Sequence, residues 1–155
     1  MARYGAGVTN KAGVNTADTI MFQLRATATT QRLLVRQVVF AVLTAPTNAP
    51  QPYLTFATAN GTSSTTLAGQ KYDNSDAAAI GTLDSAWSAN PTITTANKLA
   101  VGAMAVTAGG GWIWDFRDLP LVMQASTTAG GLAVVNAAAT GATVGAFSIS
   151  CVWDE

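Results

Sequence analysis

Two groups of carboxylates have a spacing that could do chemistry. Asp115 and Asp118 stand on either side of Arg117, next to Trp112 and Trp114. Paired carboxylates beside aromatic rings are the equipment of a glycosidase. Arg117 is also a ready ion-pair partner, and Leu119-Pro120 follows, so a structural corner accounts for the same residues. The second group is Asp73-Asn74-Ser75-Asp76, with Asp84 where the twelfth position of a calcium loop would fall. Such a loop needs an oxygen-bearing residue at position 5 and glycine at position 6. Ala77 and Ala78 stand there instead, and an Asx turn followed by a helix cap at Asp76 fits better.

The rest of the catalytic palette is nearly empty. The chain has no histidine, one cysteine (Cys151) and one glutamate (Glu155). A Ser-His-Asp or Cys-His device is therefore impossible, and metal sites built from imidazole or several thiolates are excluded. The glycine clusters do not fit phosphate loops: Gly5-Ala6-Gly7 lacks glycine at position 10, and no Gly-Lys-Ser/Thr follows at Walker spacing. No enzyme activity, cofactor or metal is expected from these residues.

The totals point to a binding or assembly module. Eight basic and eight acidic residues cancel, 49% of residues are hydrophobic and only 10% are charged. Without a basic excess, nucleic acid is not an expected partner. A charge-poor surface lacks the self-repulsion that keeps copies apart. Cys151 has no partner within the chain, which fits a reducing birthplace such as a cytoplasm and a buried apolar role. The first residues contain no apolar h-region. The most apolar stretch, Leu33 to Leu43, is too short and too polar to span a bilayer, so no membrane is expected. Asn60-Gly61-Thr62 fits a glycosylation acceptor, which carries little weight without a secretory signal.

The elements that must position these residues read as strands. Thr, Val, Ile and aromatic residues alternate in short runs between turn-like clusters. In residues 20–26, Ile20, Phe22, Leu24 and Ala26 oppose Met21, Gln23 and Arg25. Residues 32–43 are apolar on both sides, Leu33, Val35, Val39, Ala41 and Leu43 against Leu34, Arg36, Val38, Phe40 and Val42. That pattern predicts a central strand covered on both faces. The proline-rich residues 45–52 read as a loop. Tyr53 to Thr58 and Thr62 to Ala68 read as a hairpin about Asn60-Gly61. Ile80, Leu83 and Trp87 are spaced for a short helix near residues 76–87. Further strands are expected at 99–106, 112–116, 121–126, 132–135 and 147–153. The expectation is an all-β, antiparallel, jelly-roll-like sandwich. Residues 18–155 would form it as one domain, with residues 1–17 an N-terminal arm.

Trp87, Trp112, Trp114 and Trp153 remain open between core, subunit interface and sugar platform. Trp112 and Trp114 share a strand face and are expected to be buried or exposed together.

The order of features resembles the small jelly-roll capsid decoration (cement) and minor head proteins of tailed bacteriophages. The resemblance is carried by Met1-Ala2-Arg3-Tyr4, Phe22-Gln23-Leu24-Arg25-Ala26 and the 32–43 strand. It continues through the Asp/Ala-rich residues 73–87, the Trp112–Pro120 corner leading to Val122-Met123-Gln124-Ala125-Ser126, and the closing residues 147–155. It spans most of the chain as a pattern of strands and corners. It implies a non-enzymatic protein, made in the host cytoplasm and carried on the outside of the virion. There it would bind the major capsid protein lattice, often as a homotrimer, and stabilise the head. The contact residues would be Arg3, Tyr4, Trp87, Trp112, Trp114 and Arg117. A tail or fibre component and a carbohydrate-binding β-sandwich are the alternatives.

Overall fold

The computed structural model describes residues 1–141 and 143–155. Thirteen strands follow one another: β1 (Arg3–Ala12), β2 (Thr19–Ala26), β3 (Leu33–Thr44), β4 (Pro52–Ala59), β5 (Thr62–Ala68), β6 (Gln70–Lys71), β7 (Gly81–Ala89), β8 (Thr92–Ile93), β9 (Ala100–Val101), β10 (Gly111–Asp115), β11 (Leu121–Met123), β12 (Leu132–Asn136) and β13 (Ala146–Asp154). A front sheet has the order β10-β3-β13-β1-β6, with β11 also on β3. A back sheet has the order β5-β7-β2-β12-β4-β8, with β9 also on β4. All pairings are antiparallel. The two antiparallel sheets pack as a sandwich, and the chain crosses between them at each step from β1 to β4 and again from β11 to β13.

The inner faces make one core, with Phe22, Leu24, Val38, Phe40, Leu54, Leu132, Val134, Phe147, Ile149 and Trp153 all fully buried. Tyr4 stacks on Trp153 with ring centroids 6.2 Å apart. Two bulges explain where simple alternation fails. Opposite β2, pairing shifts between Val134 and Val135, so Met21 and Phe22 both enter the core while Ile20 turns outward. Opposite β3, pairing shifts between Val152 and Trp153. Leu33 and Val35 are therefore buried, but after Arg36 the inward set becomes Val38, Phe40 and Val42.

Several expectations are corrected. The short helix near residues 76–87 is absent; Gly81–Ala89 is β7, paired with β2. The i, i+3, i+7 spacing was real, but Leu83, Ser85 and Trp87 also repeat every second residue, and the open edge of β2 takes a strand. Asp84 fixes the choice, since its buried carboxylate receives Arg25 from β2 and Thr66 from β5. Of the 99–106 run only Ala100–Val101 is strand. Residues 3–12, expected within an arm, lie as β1 between β13 and β6.

The Asn60-Gly61 hairpin is also not formed: β5 pairs with β7 instead of β4. The pairs Ala57↔Ile93, Ala59↔Thr92 and Thr62↔Ala89 run in sequence. So β4–β5 and β7–β8 form one two-stranded ribbon. The ribbon joins the β4 edge to the β2 edge, and must pass over the outer face of β12 and β2 between them. Beneath it lies a second small core of Tyr53, Ala133 and Val135, with Ile20 and Ile93 against it. Gln23 is buried there, its Nε2 donating to Asn60 Oδ1 at 2.9 Å. A side chain at Gly61 would meet the Ala89 carbonyl and the Trp87 ring at 2.6 Å, so only glycine lets the ribbon strands approach so closely.

Candidate functional site

Among the described residues, no strand or ribbon covers the front sheet in this way. Its outward residues are Gly5 and Gly7 on β1, Ser148, Ser150 and Val152 on β13, Val39 and Ala41 on β3, and Ile113 on β10. The face is uncharged over this centre and poor in side-chain bulk. A shallow hollow lies between Gly5, Gly7, Ser150, Val152 and Gln37, and exposed Tyr72 forms its wall. An exposed sheet face ordinarily alternates apolar-in with polar or charged-out. Here the outward set is itself mostly small or apolar.

Charge collects at one end of this face. Arg3 Nε donates to Asp154 Oδ1 at 2.8 Å and Arg36 Nε to Asp154 Oδ2 at 2.7 Å. Burial pushes the Asp154 carboxyl up, but the hydrogen bonds and charges of the two arginines together pull it below the usual carboxylate range. Arg36 also donates to the Arg117 carbonyl at 3.0 Å, tying this cluster to the next corner. There Arg117 grips Asp115 with its guanidinium, and the Asp115 carboxyl is lowered by that hydrogen bond. Of the two spaced carboxylates, Asp115 is thus held in a corner clasp with Arg117.

Beside the front face, one side of the sandwich stays open. Among the described residues, β10 and β11 pair only with β3, and β9 only with β4. Leu99, Val101, Trp112, Leu119 and Val122 are exposed along this side. Leu99 and Val122 line one cleft, and the Trp112 ring lies against Gly102. Residues 116–120 bow away from the strand path between β10 and β11, leaving Leu119 82% exposed.

The six sequence-predicted contact residues do not form one site. Tyr4 is a core residue, its hydroxyl donating to the Ala77 carbonyl at 2.9 Å. Arg3 and Arg117 belong to the charged end. Trp114 is buried, whereas Trp112 is 37% exposed at the rim. They share a strand side as expected, but not a common exposure, because β10 runs from the core to the open side. No paired tryptophan platform results. Trp87 lies at the opposite end of the molecule in a cleft of about 750 Å³ with Lys11, Asp18 and Asn90. The Lys11 ammonium sits 5.7 Å from the Trp87 ring centre and donates to the Ser85 carbonyl. Burial lowers its pKa.

The suspected calcium loop is an Asx turn: Asp73 Oδ1 accepts from the Ser75 amide at 2.9 Å and its hydroxyl at 2.7 Å. Among the described residues, no cluster of His, Cys, Asp or Glu could hold a metal. Asn60 is bonded on both ends of its amide, to Gln23, Gly131 and Thr127. Cys151 is buried, and its thiol pKa is pushed well up by desolvation. No helix among the described residues is long and apolar enough to cross a membrane.

No family model, curated protein or solved structure matches this chain.

Sequence reading missed two features here. The Arg3–Asp154–Arg36 cluster was signalled only by Arg36 in an otherwise apolar strand. Glu155 was the other: its carboxylate accepts from the Ile80 and Gly81 amides at 2.9 and 2.7 Å and from Trp153 Nε1 at 2.8 Å.

Proposed function

We propose that this chain is a structural module of a virus particle, a decoration protein that binds the outside of a phage capsid lattice and stabilises the head. The observation that carries this reading is the front face: a broad, uncharged, apolar-leaning sheet surface that the chain itself leaves uncovered. Surfaces of this kind mark protein contacts. The resemblance in strand order and corners supplies the setting, and the poverty in acid–base residues agrees with a role without chemistry.

The mechanism is reinforcement by rigid contact. A module pinned at its corners by the Arg36–Asp154 and Arg117–Asp115 pairs loses little conformational freedom when it docks, so more of the contact energy is kept. Modest affinity at each site suffices when one oligomer engages several equivalent lattice sites at once.

Copy number in purified particles, by quantitative mass spectrometry, tests the reading. A count comparable to the major shell protein is expected. A handful of copies would move the chain to the tail or a fibre, and absence from particles would overturn the virion reading altogether.

A further inference from the structure

We propose that the cleft beside Trp87 is a binding site for an acidic saccharide, a sugar unit whose carboxylate pairs with Lys11 and whose hydroxyls meet Asp18 and Asn90. The cleft lies at the end of the molecule opposite the charged cluster and uses none of the front face, so the site stands or falls independently of the capsid reading.

The placing of Lys11 is the first observation. Along β1, Tyr4, Ala6 and Val8 alternate toward the core. Unbroken alternation would put Asn10 next on the inner side and send Lys11 outward. Pairing with β13 shifts between Val8 and Lys11, and Lys11 comes to stand opposite the core residue Phe147. Residues opposite one another in an antiparallel pair share a face. Asn10 takes the extra position, with φ at 55° in the left-handed region. The bulge thus turns a lysine inward at the mouth of the sandwich. There it bridges to the back sheet, donating to the Ser85 carbonyl beside the Trp87 ring.

This cation lacks an anion. Lys11 enters no ion pair among the described residues. Its half-buried ammonium has given up water for one carbonyl and an aromatic ring, and the same burial lowers its pKa. A desolvated charge on the wall of a cleft is stabilised by an anion that enters it.

The rest of the wall selects the kind of anion. Among the described residues, Lys11 is the only cation that lines the cleft and Asp18 the only carboxylate. One cation beside one carboxylate suits a single negative charge and opposes a phosphate dianion. Thr19, Asn90 and Thr92 add hydroxyls and an amide. Such a set both donates and accepts, as the hydroxyls of a sugar ring require. Asp18 is held for this role: its φ is 52°, and the buried Tyr53 donates from its hydroxyl to Asp18 Oδ1 at 3.0 Å. The volume of about 750 Å³ falls within the roughly 300–1,000 Å³ of small-ligand sites. Hydrolysis of a glycosidic bond ordinarily needs two carboxylates, so a ligand here is held and not cleaved.

Isothermal titration calorimetry on the full chain tests the site, with the sodium salts of glucuronate, galacturonate and N-acetylneuraminate against glucose and acetate. At least one acidic sugar is expected to bind saturably, about tenfold or more tighter than glucose or acetate. Lys11→Met should bring that sugar down to the level of glucose, and Asp18→Asn should weaken it about fivefold. Trp112→Phe, away from the cleft, should leave it unchanged. Where Lys11→Met loses its circular dichroism melt, the wild-type preference over glucose and acetate decides alone. A galacturonate trimer bound more tightly than the monomer assigns the unit to a polysaccharide; equal affinity assigns the free acid. The site is overturned if no acidic sugar binds, if glucose or acetate binds as well, or if a folded Lys11→Met keeps wild-type affinity.

Discussion

On the back sheet, Gln23, Ala133 and Val135 lie beneath a ribbon of the chain's own backbone. On the front sheet, the outward positions Val39, Ala41, Ser148 and Ser150 lie beneath no strand of the described residues. The two outer faces thus differ in who covers them. Where the cover is intramolecular, outward residues are fully buried, and the Gln23 amide nitrogen is held by a fixed partner, Asn60. Where it is not, they are small, and their polar members are hydroxyls that can bond to water or to a partner.

The largest expected effect comes from placing a charge under the ribbon. Val135→Lys would bury an ammonium in the small back core and should cost about 4 kcal/mol in urea unfolding. A loss below about 1 kcal/mol would show that the ribbon is not a true cover. Next is Asp84→Ala, which leaves Arg25 without its carboxylate and unpins β5–β7 from β2. Breaking a buried pair of this kind should cost about 3 kcal/mol, and Trp87 fluorescence should shift to the red as the ribbon loosens.

On the front side, Asp154→Asn should cost about 2 kcal/mol near neutral pH, since two arginines lose their shared anion. The sign of its pH dependence is fixed by the lowered carboxyl. Its stabilisation is full above the unfolded value near about 3.9 and fades as pH falls through the folded value. The gap between variant and wild type should therefore close below about pH 4 in unfolding titrations. The smallest effect is the sharpest for the comparison. Ser150→Lys should change the stability of the single chain by less than about 0.5 kcal/mol, against the large penalty at Val135.

Much of this division was legible in the sequence. The 20–26, 32–43 and 147–153 runs are strands as expected, but only the last keeps its expected face throughout, with Phe147, Ile149, Cys151 and Trp153 all buried; bulges break the alternation of the other two. The antiparallel sandwich follows from the number and spacing of such runs. Other parts were hidden by physics that acts at long range. A bulge shifts the parity of β2 because of β12, more than a hundred residues away. The 76–87 run has spacings compatible with helix and strand, and the open edge of β2 decides between them. The N-terminal residues looked weakly patterned because Gly5 and Gly7 face outward on β1, where the flatness of the front face needs no side chain. The candidate contact residues were chosen by type, as aromatic or arginine. The surface that stands out is built from glycine, serine, valine and alanine, whose meaning appears only when four strands set them side by side.

The position of β13 has a kinetic consequence. This last strand runs down the middle of the front sheet, between β1 and β3, and the Ala2 and Glu155 backbones bond to each other at its end. During synthesis, β1 and β3 emerge early, but the strand that joins them is missing until residues 146–154 leave the ribosome; before that β3 can pair only with β10 and β11, and β1 only with the short β6. Folding is then a late, all-or-none closure dominated by pairings distant in sequence, which makes it slow. Through that wait the apolar inner residues of β1 and β3 are exposed, so yield on expression should depend on temperature and chaperone supply more than native stability alone would suggest.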